Sequence, residues 1–282
     1  MPEIDPRVAR RRFARAAKTY GQAARLEAEI GARMLGRLDY MRIAPRRVLD
    51  AGCGPGREAR ALARRYPRAL VLALDFALPM AERAGRHGLL ALLSLSRAAL
   101  AVCADFQRLP LADASIDLVW SNMALHWAAD PMRALAEFAR VLAPGGLLML
   151  STLGPETLVE LRESAGAEHV HRFADMHDVG DALVGAGLAE PVMDMEKLTL
   201  TYAAPAALFA DLRASGQTCA LAARARGLRG RRFFRALESA LAGRMRSGRL
   251  AITWEVVYGH AWKGASRPRA ELRRPIEVVR RR

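Results

Sequence analysis

Lysine and cysteine are both scarce in this 282-residue chain. Of its 44 basic residues only Lys18, Lys197 and Lys263 are lysines, and it holds just three cysteines. Cys53, Cys103 and Cys219 share no metal-ligand spacing and are too few for a disulfide framework, which points to a reducing, cytoplasmic setting. Long uncharged apolar runs are missing as well. The longest, Gly88 to Ser96, is stopped by Arg97, far short of the ~20 residues that span a bilayer. No apolar run of a secretory signal opens the chain, although the Arg-rich segment from Met1 to Tyr20 is compatible with a mitochondrial presequence. What is abundant excludes disorder: 52% of the residues are hydrophobic, enough for one large core with or without an appended lid.

The formal net charge is +15, and its distribution matters more than its size. Residues 1–47 carry +7 and 48–152 carry +2, followed by −7 over 153–200 and +13 over 201–282. The middle of the chain is nearly neutral, and the positive field comes from the two ends. Such a field suits nucleic acid, an anionic membrane surface or an acidic protein without choosing among them.

From Arg47 onward, short Leu- and Val-rich runs alternate with stretches of helical spacing. Strands are expected at Arg47–Ala51, Leu70–Asp75, Leu100–Ala104, Ile116–Ser121, Leu147–Thr152, Met193–Tyr202 and Ala251–Trp262. Helices are expected at Arg57–Tyr66, Pro79–Arg86, Pro131–Leu142, Glu156–Ala165 and Ala174–Ala186, with Ala143-Pro-Gly-Gly146 breaking the third of these. This alternation predicts an α/β fold, doubly wound about a mostly parallel sheet. Residues 1–44 read as a helical arm and 45–204 as the α/β core. The remainder divides into a helical insertion at 205–249, a last core strand at 250–263 and a basic, disordered tail at 264–282. The arginines that open the arm also suit a plain solvated helix face.

The first strand ends in Asp50-Ala-Gly-Cys-Gly-Pro-Gly56, where the next helix opens. Glycines there let the backbone turn sharply and approach a ligand. Gly-x-Gly alone also fits a tight turn or a dinucleotide loop. The spacing is Gly-x-Gly-x-Gly, however, and acids end three successive strands: Asp50, Asp75 and Asp105, the last followed by Phe106. A carboxylate such as Asp75 can accept from both hydroxyls of a ribose. The pattern points to S-adenosylmethionine.

These motifs, with Leu109-Pro-Leu111, Ser115-Ile-Asp-Leu-Val119 and Arg140-Val-Leu-Ala-Pro-Gly-Gly146, resemble the class I S-adenosylmethionine-dependent methyltransferases over residues 45–155. Within that class, Trp120-Ser-Asn-Met-Ala-Leu-His-Trp127 and the arm segment Arg12-Phe-Ala-Arg-Ala-Ala-Lys-Thr-Tyr20 are similar to the malonyl-[acyl-carrier protein] O-methyltransferase family of biotin biosynthesis. Thr152-Leu-Gly-Pro-Glu-Thr-Leu158, Glu160-Leu-Arg162 and the Tyr258–Lys263 ending fit the same family. They also resemble a mitochondrial complex I assembly factor reported as an arginine hydroxylase.

The resemblance implies the seven-stranded class I methyltransferase fold, S-adenosylmethionine as methyl donor without a metal, and a malonyl-bearing acyl carrier protein as acceptor. No nucleic acid, no membrane span and a monomer are expected. Gly52, Cys53 and Gly54, below Asp50, would line the methionine and ribose, with Asp75 on the ribose hydroxyls. Phe76 and Met80 would flank adenine, with Asp105 and Phe106 at its edge. Ser121 and Asn122 would lie beside the methyl donor, with Tyr20 closing over it, and His126 and Trp127 would meet the acceptor. Phe76, Met80 and Cys53 are equally readable as packing residues. His126 is a weak candidate for a base, but no catalytic residue is fixed. His169, His171, Asp175, His177 and Asp178 read as an acidic surface loop and a weak metal cluster. A non-catalytic or hydroxylating assembly factor, or a methyltransferase of RNA or another small molecule, stays open on fold grounds.

Overall fold

The structure is a computed structural model that describes residues 4–85, 99–224, 227 and 230–264. The apolar run Gly88–Ser96, part of the linker 224–230 and all of the tail beyond Gly264 lie outside the described residues. Seven strands form one sheet: β1 (Arg47–Ala51), β2 (Leu70–Asp75), β3 (Leu100–Cys103), β4 (Ile116–Ser121), β5 (Leu142–Leu153), β6 (Leu188–Tyr202) and β7 (Leu250–Lys263). Their order is β3-β2-β1-β4-β5-β7-β6, and β7 runs antiparallel to both of its neighbours. β1 pairs with β2 on one side and β4 on the other, so the chain direction of winding reverses across β1 and β4. In open α/β sheets that reversal leaves a crevice at the carboxyl ends of the strands.

Alternation along β1 decides the two layers. Val48 faces a core shared with Leu26, Ile30 and Met34 of the arm helix α3 (Arg25–Arg37) and with Ala59 and Leu62 of α4 (Arg57–Arg65). Leu49 faces the opposite core. There it joins Leu135 and Phe138 of a helix at Pro131–Val141, and Val179 and Leu183 of one at Met176–Gly185. The first of these two helices starts where sequence demands it: Pro131 occupies its first turn and the Asp130 carboxylate accepts from Arg133 N at 3.1 Å.

Several expected boundaries move for physical reasons. That helix ends at Val141, and the chain turns extended at once, so Ala143–Gly146 belongs to β5 instead of separating it from the helix. The register shifts there, from Ile116↔Leu142 to Leu118↔Leu147, with Gly145 at φ 77°. The acidic helix begins only at Val159, because Gly154, Glu156 and Leu158 donate their amides to Glu255 O, Glu255 Oε2 and Thr253 O of β7.

Arm helix α1 (Pro6–Ala16) is capped by Asp5, whose carboxylate accepts from Arg7 N at 3.1 Å and Val8 N at 3.2 Å. Its buried face, Val8, Ala9 and Phe13, meets Ala77, Met80, Trp127 and Ala220. The short α2 (Tyr20–Ala23) follows before α3. Helices at Pro205–Ala214 and Arg231–Ala242 lie between β6 and β7, whose paired ends Tyr202 and Leu250 close the excursion. Arm and excursion are stitched together: Asp5 N donates to Ala220 O at 2.8 Å, Thr19 Oγ1 to Ala214 O at 2.7 Å, and the Arg12 guanidinium to Cys219 O. Among the described residues no helix is long and apolar enough to cross a membrane.

Candidate active site

After Ala51 the backbone folds over the end of β2, with Gly52 N and Cys53 N both donating to Leu74 O at 2.8 and 2.9 Å. Gly52 sits at φ 84°, and a Cβ there would lie 2.4 Å from Ala124 Cβ. Gly54, at φ 51°, lies under the Tyr20 ring, whose Cε1 would be 3.4 Å from an added Cβ. Only glycine serves at Gly52 on both counts. The Gly54 amide donates to Asp75 Oδ2 at 3.0 Å, and Ala77 N donates to Oδ1 at 2.8 Å. Burial pushes the Asp75 carboxyl up to about 6, against the lowering effect of those two amides.

One cavity gathers most of the expected cofactor residues. Tyr20, Gly52, Gly54, Asp75, Phe76, Met80, Asp105, Phe106 and Asn122 line it, joined by Phe13, Gln107, Met123, Ala124 and Trp127. Asp105 Oδ1 accepts from Gln107 N at 2.8 Å, and Asn122 Oδ1 accepts from Ser151 Oγ at 2.8 Å. Cys53 lies instead in an adjoining recess with Glu27 and Glu58. Burial, then the nearby Asp50, holds its thiol well above the ordinary range, so it is a neutral packing group. Asp50 and Ser121 are buried and line neither space. Burial and then Glu58 push the Asp50 carboxyl up, while the Ala59 amide of α4 opposes the shift.

His126 and Trp127 occupy a 3-10 turn, Leu125–Trp127, after β4. Trp127 is a wall shared by the first cavity and a second one, lined by His126, Leu153, Leu158, Leu161, His169, His171, Phe173, Cys219 and Trp254. The expected surface loop is therefore corrected at His171. It is buried, its ring meets Trp127 edge-on at 4.9 Å, and its Nε2 accepts from Ala220 N at 2.7 Å. Since an amide can only donate, the His171 proton sits on Nδ1. Burial and then the Arg12 charge lower His171 to about 4. Burial and then His171 lower His126 to about 3. Both imidazoles are neutral at pH 7. Among the described residues no cluster of His, Cys, Asp and Glu could hold a metal.

Sequence reasoning missed Phe13, Glu27, Gln107, Met123 and His171. Phe13 did carry a signal, falling five residues after Val8 and three before Ala16 on the buried stripe of α1. The others lie on turns or a polar helix and carry none.

The first cavity fits S-adenosylmethionine on observations of its own: a backbone cradle that any Cβ at Gly52 would fill, a buried carboxyl at Asp75, and aromatic faces at Phe76 and Phe106. Residues 49–150 match the model of a methyltransferase domain. The chain is 52% identical to the malonyl-[acyl-carrier protein] O-methyltransferase of Laribacter hongkongensis, over 92% of this chain and 90% of that protein. The protein of the same name from Methylovorus sp. is 49% identical, over 94% and 91% of the two chains. In fold, the YcgJ protein of Bacillus subtilis superposes with a TM-score of 0.61 at 19% identity, covering 83% of this chain and 100% of that one. A putative methyltransferase of Bacillus halodurans gives 0.60 at 18% identity, covering 83% and 99%.

Proposed function

Because the chain belongs to the malonyl-[acyl-carrier protein] O-methyltransferase family, we propose that it methylates the free carboxylate of malonyl-[acyl-carrier protein], giving the malonyl methyl ester that primes pimeloyl and biotin synthesis. S-adenosylmethionine supplies the methyl group as an electrophilic sulfonium. The observation that carries the reading is the shared Trp127 wall, which sets the glycine-loop cavity against a separate, mostly apolar chamber. The relatives named above favour this reading over the assembly-factor alternative.

A malonyl carboxylate is ionised at neutral pH, its pKa lying near ~4, so no general base is needed. The chain's task is positioning and exclusion of water. Tyr20 and Phe13 close the cofactor cavity, Asp75 holds the ribose, Phe76 and Met80 flank adenine, and Asp105 and Phe106 take its edge. His126 and His171 line the acceptor chamber as neutral imidazoles and bring no charge of their own to the incoming carboxylate. Arg12 is our candidate for receiving that carboxylate. It lies behind the chamber lining, is half-buried, donates to Cys219 O on the chamber wall, and has no carboxylate partner among the described residues. Burial lowers its pKa from the ordinary arginine range, the mark of a desolvated cation.

The acidic carrier protein docks, in this reading, on the helix Arg231–Ala242. There Arg231, Arg232 and Arg235 are exposed around Phe234, itself 52% exposed. The three free cysteines fit a reducing, cytoplasmic location. Methyl transfer from labelled S-adenosylmethionine tests the function, with malonyl-carrier protein set beside malonyl-coenzyme A, free malonate and RNA. Label in the malonyl thioesters supports the reading; label only in RNA, or in nothing, overturns it.

A further inference from the structure

Glu27 sits where a glutamate is costly. It lies on the arm helix α3, is 6% exposed, and its Oε1 has no hydrogen-bond partner among the described residues. Burying an unpaired carboxyl carries a penalty that a glutamine of the same shape would largely avoid. The position is well fixed: Asn122 Nδ2, at the end of β4, donates to the Glu27 carbonyl at 2.9 Å.

Glu27 borders two spaces, an outer groove shared with Tyr202 and Asp211 and the recess beside the glycine loop, which it lines together with Gly52, Gly54, Tyr20, Asn122, Arg57 and Glu58. Four of these, Gly52, Gly54, Tyr20 and Asn122, also wall the cofactor cavity, so the recess is that cavity's continuation beyond the loop. Glu58 stands one helical turn along from Glu27. A Cβ on Gly31, four residues after Glu27 and on the same face of α3, would lie 2.6 Å from Glu58 Oε1. The groups that face Glu27 are Glu58 and Arg57 of α4, Asp211 of the helix Pro205–Ala214, Tyr20 of α2 and Tyr202 of β6. Arg57 is the single cation among them, and its guanidinium donates instead to Gly21 O at 3.0 Å. Two carboxyls therefore converge on a recess whose lining cation, Arg57, is bonded to Gly21 O, with no ion pair to either carboxyl among the described residues.

We propose that Glu27, with Glu58 beside it, is the receptor for the α-ammonium group of S-adenosylmethionine. The proposal rests on the methyltransferase reading and deepens it, since it places the amino-acid end of the ligand. Asp75 walls the cavity and Glu27 the recess, and Gly52 and Gly54 line both. A ligand whose ribose meets Asp75 and whose amino-acid arm extends from the sulfonium passes along that shared loop toward Glu27. Arm and cofactor are thereby coupled, because the carboxyl that meets the ammonium belongs to the arm. Burial pushes the Glu27 carboxyl up to about 7, so it is partly protonated without a ligand and must release that proton when a cation arrives.

Calorimetry on the full chain decides it, using two probes that share the nucleoside. S-adenosylhomocysteine keeps the amino acid; 5′-methylthioadenosine lacks it. In Glu27→Gln, affinity for S-adenosylhomocysteine should fall about tenfold to a hundredfold, the worth of a hydrogen bond to a charged group, with 5′-methylthioadenosine unaffected. Wild type should release a proton on binding S-adenosylhomocysteine at pH 6.5, visible as a buffer-dependent enthalpy, and the variant should release less. Equal losses for both probes, or no loss for either with unchanged proton release, would overturn the proposal. Wild type that binds neither nucleoside would refute the underlying cofactor reading, and this proposal with it.

Discussion

The ring of Phe13 meets the indole of Trp127 edge to face, with centroids 4.9 Å apart and planes at 89°. Phe13 also lies 5.9 Å from the Phe76 ring, so one arm residue touches both a wall of the first cavity and the Trp127 partition it shares with the second. Loss of this contact should loosen the arm before the sheet. A double-mutant cycle of Phe13→Leu and Trp127→Phe, followed by denaturant unfolding, is expected to show a coupling of about 0.5–1.5 kcal/mol. Additive effects would mean that the two rings merely share a cavity.

Asp75 anchors the glycine loop, and its proposed hold on the ribose should be separable from that role. Its carboxylate accepts from Gly54 N and Ala77 N, and it faces the cavity with its remaining lone pairs. Asp75→Ala should weaken S-adenosylhomocysteine binding by roughly 1.5–3 kcal/mol if the carboxylate holds the ribose. Calorimetry reads this directly, and 2′,3′-dideoxy analogues should lose little further affinity in the variant. Unchanged affinity would leave Asp75 as a loop anchor alone.

What could be read from sequence was whatever a few adjacent residues decide. Fully buried runs such as Val48–Ala51 reveal a parallel strand, and Asp130-Pro131 reveals a helix start, because each signal is local. The Ala143-Pro-Gly-Gly146 stretch misleads, since Pro and Gly mark an interruption equally well when the chain leaves a helix and when it enters a bulged strand. Long-range closure left no trace at all. Nothing near Arg12 announces Cys219, and nothing near Asp5 announces Ala220, so the seam between arm and excursion was invisible. His171 was hidden for the same reason: an acidic neighbourhood suggested a surface, whereas Trp127 and the Ala220 amide, both distant in sequence, bury it. Glu27 reads locally as one of the polar residues of an amphipathic helix, and only its neighbours across the fold make it unusual.

His126 should not act as a base. Burial and then His171 hold it at about 3, so it is neutral throughout pH 5–8, and its Nδ1 has only a 3.4 Å contact with Thr152 Oγ1. His126→Asn is expected to keep kcat/KM for the malonyl acceptor within about tenfold of wild type, with a pH profile of unchanged shape. Loss of a general base would instead cost roughly 10²–10⁴-fold.

Charge on the helix Arg231–Ala242 should matter only when the acceptor rides on a protein. Reversing Arg231, Arg232 and Arg235 to Glu is expected to raise KM for malonyl-carrier protein several-fold and to flatten its salt dependence. The KM for malonyl-coenzyme A should change far less. An equal rise for both acceptors would assign the arginines to the acceptor chamber, and no rise would remove this helix from docking.

Glu27 also sets a stability test whose sign is opposite to that of most charge removals. Its folded pKa of about 7 lies above the ordinary 4.5, so between those values the folded chain keeps a proton that the unfolded chain has lost. Wild type therefore loses stability as pH climbs through that window, and the loss is complete above pH 7. Glu27→Gln carries no such penalty and packs in the same space. The variant should be close to wild type in stability at pH 5 and more stable at pH 8, by at most on the order of 3 kcal/mol. Urea denaturation of both proteins without ligand at the two pH values checks this. A variant less stable than wild type at pH 8 would show that the carboxylate has a partner in the free chain. A more stable variant that binds S-adenosylhomocysteine poorly would instead identify Glu27 as a group kept for the ligand at the expense of the fold.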